Sequence, residues 1–216
     1  MQAVFDQYGF YAEIYKKQRL WYDLSRGDGM GVFQFIKQSI AFRKSCKAFA
    51  AERVKQEERY LQMDAYQLSV LKDDELLDAI WTRAEHVVSS QDNPAEGFSL
   101  LNTQQKIFYA VNYLEMEVNN GGLCQFFVNS SRIVAPLISE YLGVIGASQH
   151  KKLYDTFIEK HKINLADLSS FDSVTVEAFQ SQYSRYPFEE YDDAFYELES
   201  LRDHLIPFAK KHIEKF

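Results

Sequence analysis

The chain has 216 residues, of which 46% are apolar and 25% charged, a balance that supports a buried core without a metal or disulfide and excludes global disorder. Only four prolines and nine glycines interrupt it, so long helices are favoured over many short strands and the expected fold class is all-α. The net charge of −7 is unevenly spread: residues 1–72 carry 12 Lys/Arg against 8 Asp/Glu, whereas residues 73–216 carry 12 against 23.

The two cysteines, Cys46 and Cys124, lie far apart in apolar, helix-like stretches, which argues against a disulfide framework and for buried thiols in a reducing compartment. The N-terminal stretch mixes charge with aromatics and lacks the apolar run of a signal peptide or membrane span. The expectation is a cytoplasmic protein without membrane attachment.

In chain order, residues 3–24 read as a first helix with Phe10, Ile14 and Trp21 on its apolar side and Lys16, Lys17 and Arg19 opposite. Gly27, Gly29 and Gly31 then break it. That segment lacks the Lys-Ser/Thr ending of a nucleotide-binding loop, and Asp28 would repel an anion, so it reads as a hinge. From Val32 to about Met63 a long helical run places Phe42, Cys46, Phe49 and Ala50 on an apolar line. Its lysines and arginines are interrupted by Glu52, Glu57 and Glu58, a mixed solvated face rather than a nucleic-acid surface.

Asp73 or Asp74 is positioned to cap the next helix, with Leu77, Ile80, Trp81, Ala84, Val87 and Val88 on one face. Gln91-Asp92-Asn93-Pro94 signals its end, and a loop leads to Thr103, the expected N-cap of the clearest amphipathic helix, with Ile107, Val111, Leu114 and Val118 in line. Asn119-Asn120-Gly121-Gly122 should stop that helix and reverse the chain, sending Phe126 and Phe127 into the core. Further helices are expected at 133–146, 148–161, 174–183 and 190–214, the last kinked near Pro207.

None of His86, His150, His161, His204 or His212 has a Glu three positions before it, and no two stand four apart, so helical metal-site spacings are missing and no metal or cofactor is expected. The histidines read as surface or edge residues. There is no Gly-x-Ser-x-Gly elbow. Cys124, between Leu123 and the Phe pair, has an apolar setting that disfavours a thiolate. Glu115 and Glu117 stand two apart and should face different sides of their helix, one solvated and one bonded to the turn. No catalytic residue is assigned.

The densest acid lies between Phe171 and Asp203, where Asp172, Glu177, Glu189, Glu190, Asp192, Asp193, Glu197, Glu199 and Asp203 face only Arg185 and Arg202. Residues three or four apart share a helix face, so Glu190, Asp193 and Glu197 form a row, with Glu189, Asp192, Glu199 and Asp203 beside it.

Across Glu117-Val118-Asn119-Asn120-Gly121-Gly122-Leu123-Cys124-Gln125-Phe126-Phe127-Val128-Asn129 the sequence resembles the bacterial DNA-mimic protein family, whose shared domain is otherwise of unknown function. A Gln near the start of the preceding helix, Gln104 or Gln105, and the later Tyr191-Asp192-Asp193-Ala194-Phe195-Tyr196 extend the likeness over about residues 73–216. The resemblance implies an irregular multi-helix bundle, with residues 1–72 as an added helical region. It also implies an acidic regulator of transcription that binds a basic DNA-binding protein, with no direct contact to nucleic acid, through Glu189, Glu190, Asp192, Asp193, Glu197, Glu199 and Asp203. Two other readings stay open. One is an enzyme or small-ligand site around Asn119, Asn120, Gly121, Gly122, Gln125 and Asn129; the other is an interaction module that oligomerises, for example as a homodimer, through the N-terminal helices.

Overall fold

The computed structural model describes residues 44, 48, 50–172 and 175–216. The expected helix at 3–24, the glycine hinge at 27–31, Cys46 and most of the run from Val32 to Phe49 lie outside the described residues. The chain divides into two compact units, Met1–Glu58 and Arg59–Phe216. In the first, residues 50–58 are helical, with Arg53 paired to Glu57 at 3.3 Å one turn away.

The second unit is all-α, with no strand among the described residues. Residues 59–62 are helical, and Arg83 reaches the end of that stretch, its Nη1 donating to the backbone oxygens of Met63 at 2.5 Å and Tyr60 at 3.3 Å. The short helix α1, Ala65–Ser69, starts from a reciprocal cap between Asp64 and Gln67. Helix α2 spans Asp73–Val88 and buries Leu77, Ile80, Ala84 and Val88 as expected. Its N-cap is Lys72, so Asp73 and Asp74 do not cap it; they occupy its first turn. There they favour the positive end of the helix and pair with Lys210 at 2.5 Å and Arg202 at 2.7 Å.

The loop expected before Thr103 is a helix. Asn93 accepts from Ala95 N–H at 3.0 Å and Pro94 takes the first helical position, so these residues, past the end of α2 at Val88, begin α3, Pro94–Leu100. Gly97 lets α3 lie on the end of α2, because a Cβ there would overlap the Val88 backbone. The next helix, α4, covers Thr103–Val128 and is capped by Asn102 rather than Thr103. Asn102 exchanges hydrogen bonds with Gln105 at 3.0 Å each way, and its Nδ2 donates to the Lys215 carbonyl at 2.7 Å.

Ile107, Val111, Leu114 and Val118 are buried, but so are Phe108, Tyr109, Ala110, Asn112, Glu115 and Glu117. A helix buried around most of its circumference is a central helix; Met116, Asn119 and Asn120 keep one strip of it exposed. Around it pack α2, a 3₁₀ segment at Ser130–Leu137 and helices α5 (Ile138–Val144), α7 (Val176–Arg185), α8 (Phe188–Tyr196) and α9 (Arg202–Lys211). Helix α6, Ser148–His161, has the expected bounds and packs on α5 and α8. The helix expected over 133–146 is split because Pro136 lies in the 3₁₀ stretch, where a missing N–H is tolerated in a short piece. The helix expected over 190–214 is also two helices, α8 and α9. The break falls at 197–201, upstream of Pro207, which sits inside α9.

Gly97→Ala should lower stability by about 1–3 kcal/mol, the usual penalty of overpacking against backbone that cannot yield. A denaturant midpoint unchanged from wild type would show that α3 does not rest on α2 in this way.

Candidate functional site

The glycine motif interrupts α4. Gly121 has φ −163° and ψ 23°, and Gly122 has φ 80° and ψ 176°, with helix on both sides. The helix is therefore broken at the expected place, though it resumes at once. In a straight helix Glu117 and Asn129 would be separated by about 18 Å. Here Glu117 Oε2 accepts from Asn129 Nδ2 at 2.9 Å and from Gln125 Nε2 at 2.6 Å, so the chain bends back on itself.

Three buried acids close the bend. Glu117 also accepts from Ser131 Oγ at 3.3 Å. Asp192 of α8 accepts from Leu123 N–H at 2.8 Å, capping the resumed half of α4. Glu115 accepts from Ser200 Oγ at 2.7 Å and Leu201 N–H at 2.8 Å, capping α9 and fixing the break after α8. Tyr196 Oη donates to the Val118 carbonyl at 2.7 Å, one turn before the glycines. Glu115, Glu117 and Asp192 are 6%, 7% and 7% exposed. The expectation that one of Glu115 and Glu117 is solvated is therefore corrected: both carboxyls are taken up by donors from other segments, and the exposed strip of the helix runs through Met116, Asn119 and Asn120 instead.

The structure separates the six motif residues. Gln125 and Asn129 meet on Glu117, while Asn119 and Asn120 face solvent. A Cβ on Gly122 would fall on the Asp192 carboxyl, and its positive φ strains any other residue; a Cβ on Gly121 would overlap the Gln125 side chain, which can shift at the cost of its bond to Glu117. Burial pushes the Asp192 carboxyl up to about 6, opposed by the Leu123 N–H and reinforced by Asp193. Burial, with Asp192 nearby, pushes the Cys124 thiol up to about 12, which suits an inert core residue.

Among the acids assigned to a surface, Asp192 is thus a correction: it points inward with Phe188, Tyr191 and Phe195. Glu189, Glu190, Asp193, Glu197, Glu199 and Asp203 are exposed. Glu190 lies 4.0 Å from Lys160, and Glu199 lies 2.8 Å from His204 Nε2. Asp172 pairs with Arg132. Tyr196, 52% exposed, flanks the row. His150 is a second correction, being buried at 2% exposure rather than at an edge. No group of three or more His, Cys, Asp or Glu among the described residues has the arrangement of a metal site. No helix among them is long and apolar enough to cross a membrane.

Sequence reasoning missed the roles of Ser131, Ser200 and Tyr196, whose partners lie far away in the chain. A signal did exist for Asp192: Phe188, Tyr191 and Phe195 already define a face at helical spacing on which it falls.

A protein-family model described as DMP19-like protein matches residues 99–212. That interval contains α4, its glycine break and the acidic helix α8. No curated protein and no solved structure matches.

Gly122→Ala should cost about 2–4 kcal/mol, combining left-handed strain with a buried clash, and Gly121→Ala clearly less; equal midpoints for the two variants would contradict this geometry. The Asp192 carboxyl is raised in the fold, so the folded state holds more protons than the unfolded chain between about pH 4 and 6. Its contribution to stability should therefore grow as pH falls through that window. Asp192→Asn keeps an oxygen for Leu123 N–H and should lose this component, as unfolding titrations of the two proteins at pH 7 and pH 5 would reveal.

Proposed function

The chain belongs to the DMP19-like protein family, a family of DNA mimics, and from that premise we propose that it presents DNA-like charge and sequesters a basic DNA-binding protein. The observation that carries this reading is the face of α8. Its inner side, Phe188, Tyr191, Asp192 and Phe195, is buried, while Glu189, Glu190 and Asp193 and the capping Glu197 stand outside.

Duplex DNA offers one negative charge per about 1.7 Å of axis, and its binders recognise it largely with Lys and Arg. Carboxyls at i, i+3 and i+7 of one helix provide a row of the same sign at side-chain spacings of about 5–6 Å. Glu199 and Asp203 extend it across the α8–α9 junction. The basic balance of residues 1–72 does not belong to this row, although residues 59–72 are part of the same compact unit, Arg59–Phe216. The motif amides favour a supporting role over a small-ligand site, because the donors of Gln125 and Asn129 are engaged by Glu117.

Capture of a basic DNA-binding protein should weaken steeply with salt, as expected when charge complementarity sets the association. Reversing Glu190, Asp193 and Glu197 together to Lys should reduce affinity by at least about tenfold, equivalent to about 1.4 kcal/mol. Unchanged binding of the folded triple variant would remove this face from the interface.

A further inference from the structure

Behind the acidic face lies a pair of imidazoles that charge mimicry does not use. His150, in the first turn of α6, is 2% exposed, and neither of its ring nitrogens has a hydrogen-bond partner. Its ring stands edge-on to Phe195 of α8, centroids 5.2 Å apart, and to His204 of α9, centroids 6.2 Å apart. Such a site accepts a neutral imidazole and opposes a charged one, because the cation would be buried without solvent or a bonded counter-charge. The positive end of α6 adds to the opposition.

The groups that act on His150 come from α9 and from the break before it: His204 disfavours the cation, and Glu199 favours it through both its charge and its backbone, more weakly than burial opposes it. Glu199 is held by His204 Nε2 at 2.8 Å. From α8 the packing group is Phe195, while Asp192 is engaged by Leu123 N–H. Lys151, next in α6, donates to Ser139 at 2.8 Å and pairs with Asp155. The result is a histidine shielded on its α8 side by an aromatic ring and faced by a second imidazole on its α9 side.

We infer that His150 is an acid-sensitive latch: protonation of its ring is accommodated only by opening the seam between α6 and the α8–α9 pair, which disorganises the acidic face those helices carry. Burial, followed by the nearby His204, depresses the proton affinity of the folded imidazole below its ordinary value, with Glu199 opposing. A histidine depressed in the fold contributes stability above about pH 6.5, and that contribution is lost as pH falls below it. Asp192, on the adjoining helix, has the opposite sign, so the two effects must be separated. The consequence for partner capture rests on the binding function proposed above; the opening of the seam does not.

The test is amide hydrogen exchange on the full chain at pH 7.5 and 5.5, corrected for intrinsic exchange, in an Asp192→Asn background. Protection in α6 and α8 should fall severalfold on acidification, towards the ceiling of about tenfold that an open-state histidine titrating near 6.5 sets between these two pH values. His150→Phe, which keeps an apolar ring and removes the proton site, should retain protection within about twofold. Equal acid-induced loss in both proteins would overturn the latch. If His150→Phe does not fold, the His150 ring resonances of the Asp192→Asn protein decide: titration below the ordinary histidine range together with loss of α8 protection supports the latch, and unchanged protection through that titration overturns it. Partner capture measured at pH 7.5 separates the two ideas, because failure there rejects the mimic reading while the exchange result stands.

Discussion

The domain depends on a central helix that is broken in its middle and must satisfy the broken backbone inside the core. At Gly121 and Gly122 the hydrogen-bond ladder of α4 is interrupted, and an unpaired buried N–H or C=O costs about 1–3 kcal/mol. Asp192 receives Leu123 N–H, and Tyr196 donates to the Val118 carbonyl. The same stretch of α4 sends Glu115 outward to cap α9, so the bend in one helix and the start of another are fixed together. These bonds join segments 69 to 86 residues apart. Local helix propensity alone would not place α8 and α9 against this bend.

Those bonds also explain how acidic residues close in sequence acquire opposite roles. Asp192 and Asp193 are adjacent, but a helix turns about 100° per residue, so the first joins Phe188, Tyr191 and Phe195 in the core and the second joins Glu189, Glu190 and Glu197 outside. The aromatic side anchors α8 through Phe188 against Phe127, Phe157 and Phe171. An acidic row on an anchored helix holds its spacing, whereas the same charges on a loose segment would lose it to side-chain and backbone freedom. The packing therefore contributes to recognition without touching a partner.

Much of this arrangement is legible in the sequence where the signal is local. The stripe Ile107, Val111, Leu114 and Val118 identifies α4, its glycines mark the break, and α6 has its expected bounds. Boundary errors arise where one signal has two meanings: Asn93-Pro94 reads as the end of α2, which already stops at Val88, but it caps and opens α3. The division of 190–214 is harder to read, because its break is capped by Glu115, 86 residues before Leu201. The break does not fall at Pro207, which stands exposed at the sixth position of α9 with helix on both sides of it. The buried roles of Glu115 and Glu117 likewise depend on elements that reach α4 from elsewhere in the chain.

Moving Asp192 from the contact surface to the core changes its contribution without removing it from the electrostatics. A carboxyl beneath a helix acts through protein rather than through water, and a lower effective dielectric lengthens the reach of its charge. The Leu123 N–H compensates part of that charge, while Asp193 sits on the next outward position. Ionisation above about pH 6 therefore places negative charge directly behind the exposed row. Its location is fixed by a backbone hydrogen bond, unlike the tips of exposed Glu side chains. The field of the acidic face thus has a mobile outer part and a rigid inner part, and the glycine break, by leaving room for Asp192 where any side chain would collide with it, is what allows the inner part to exist.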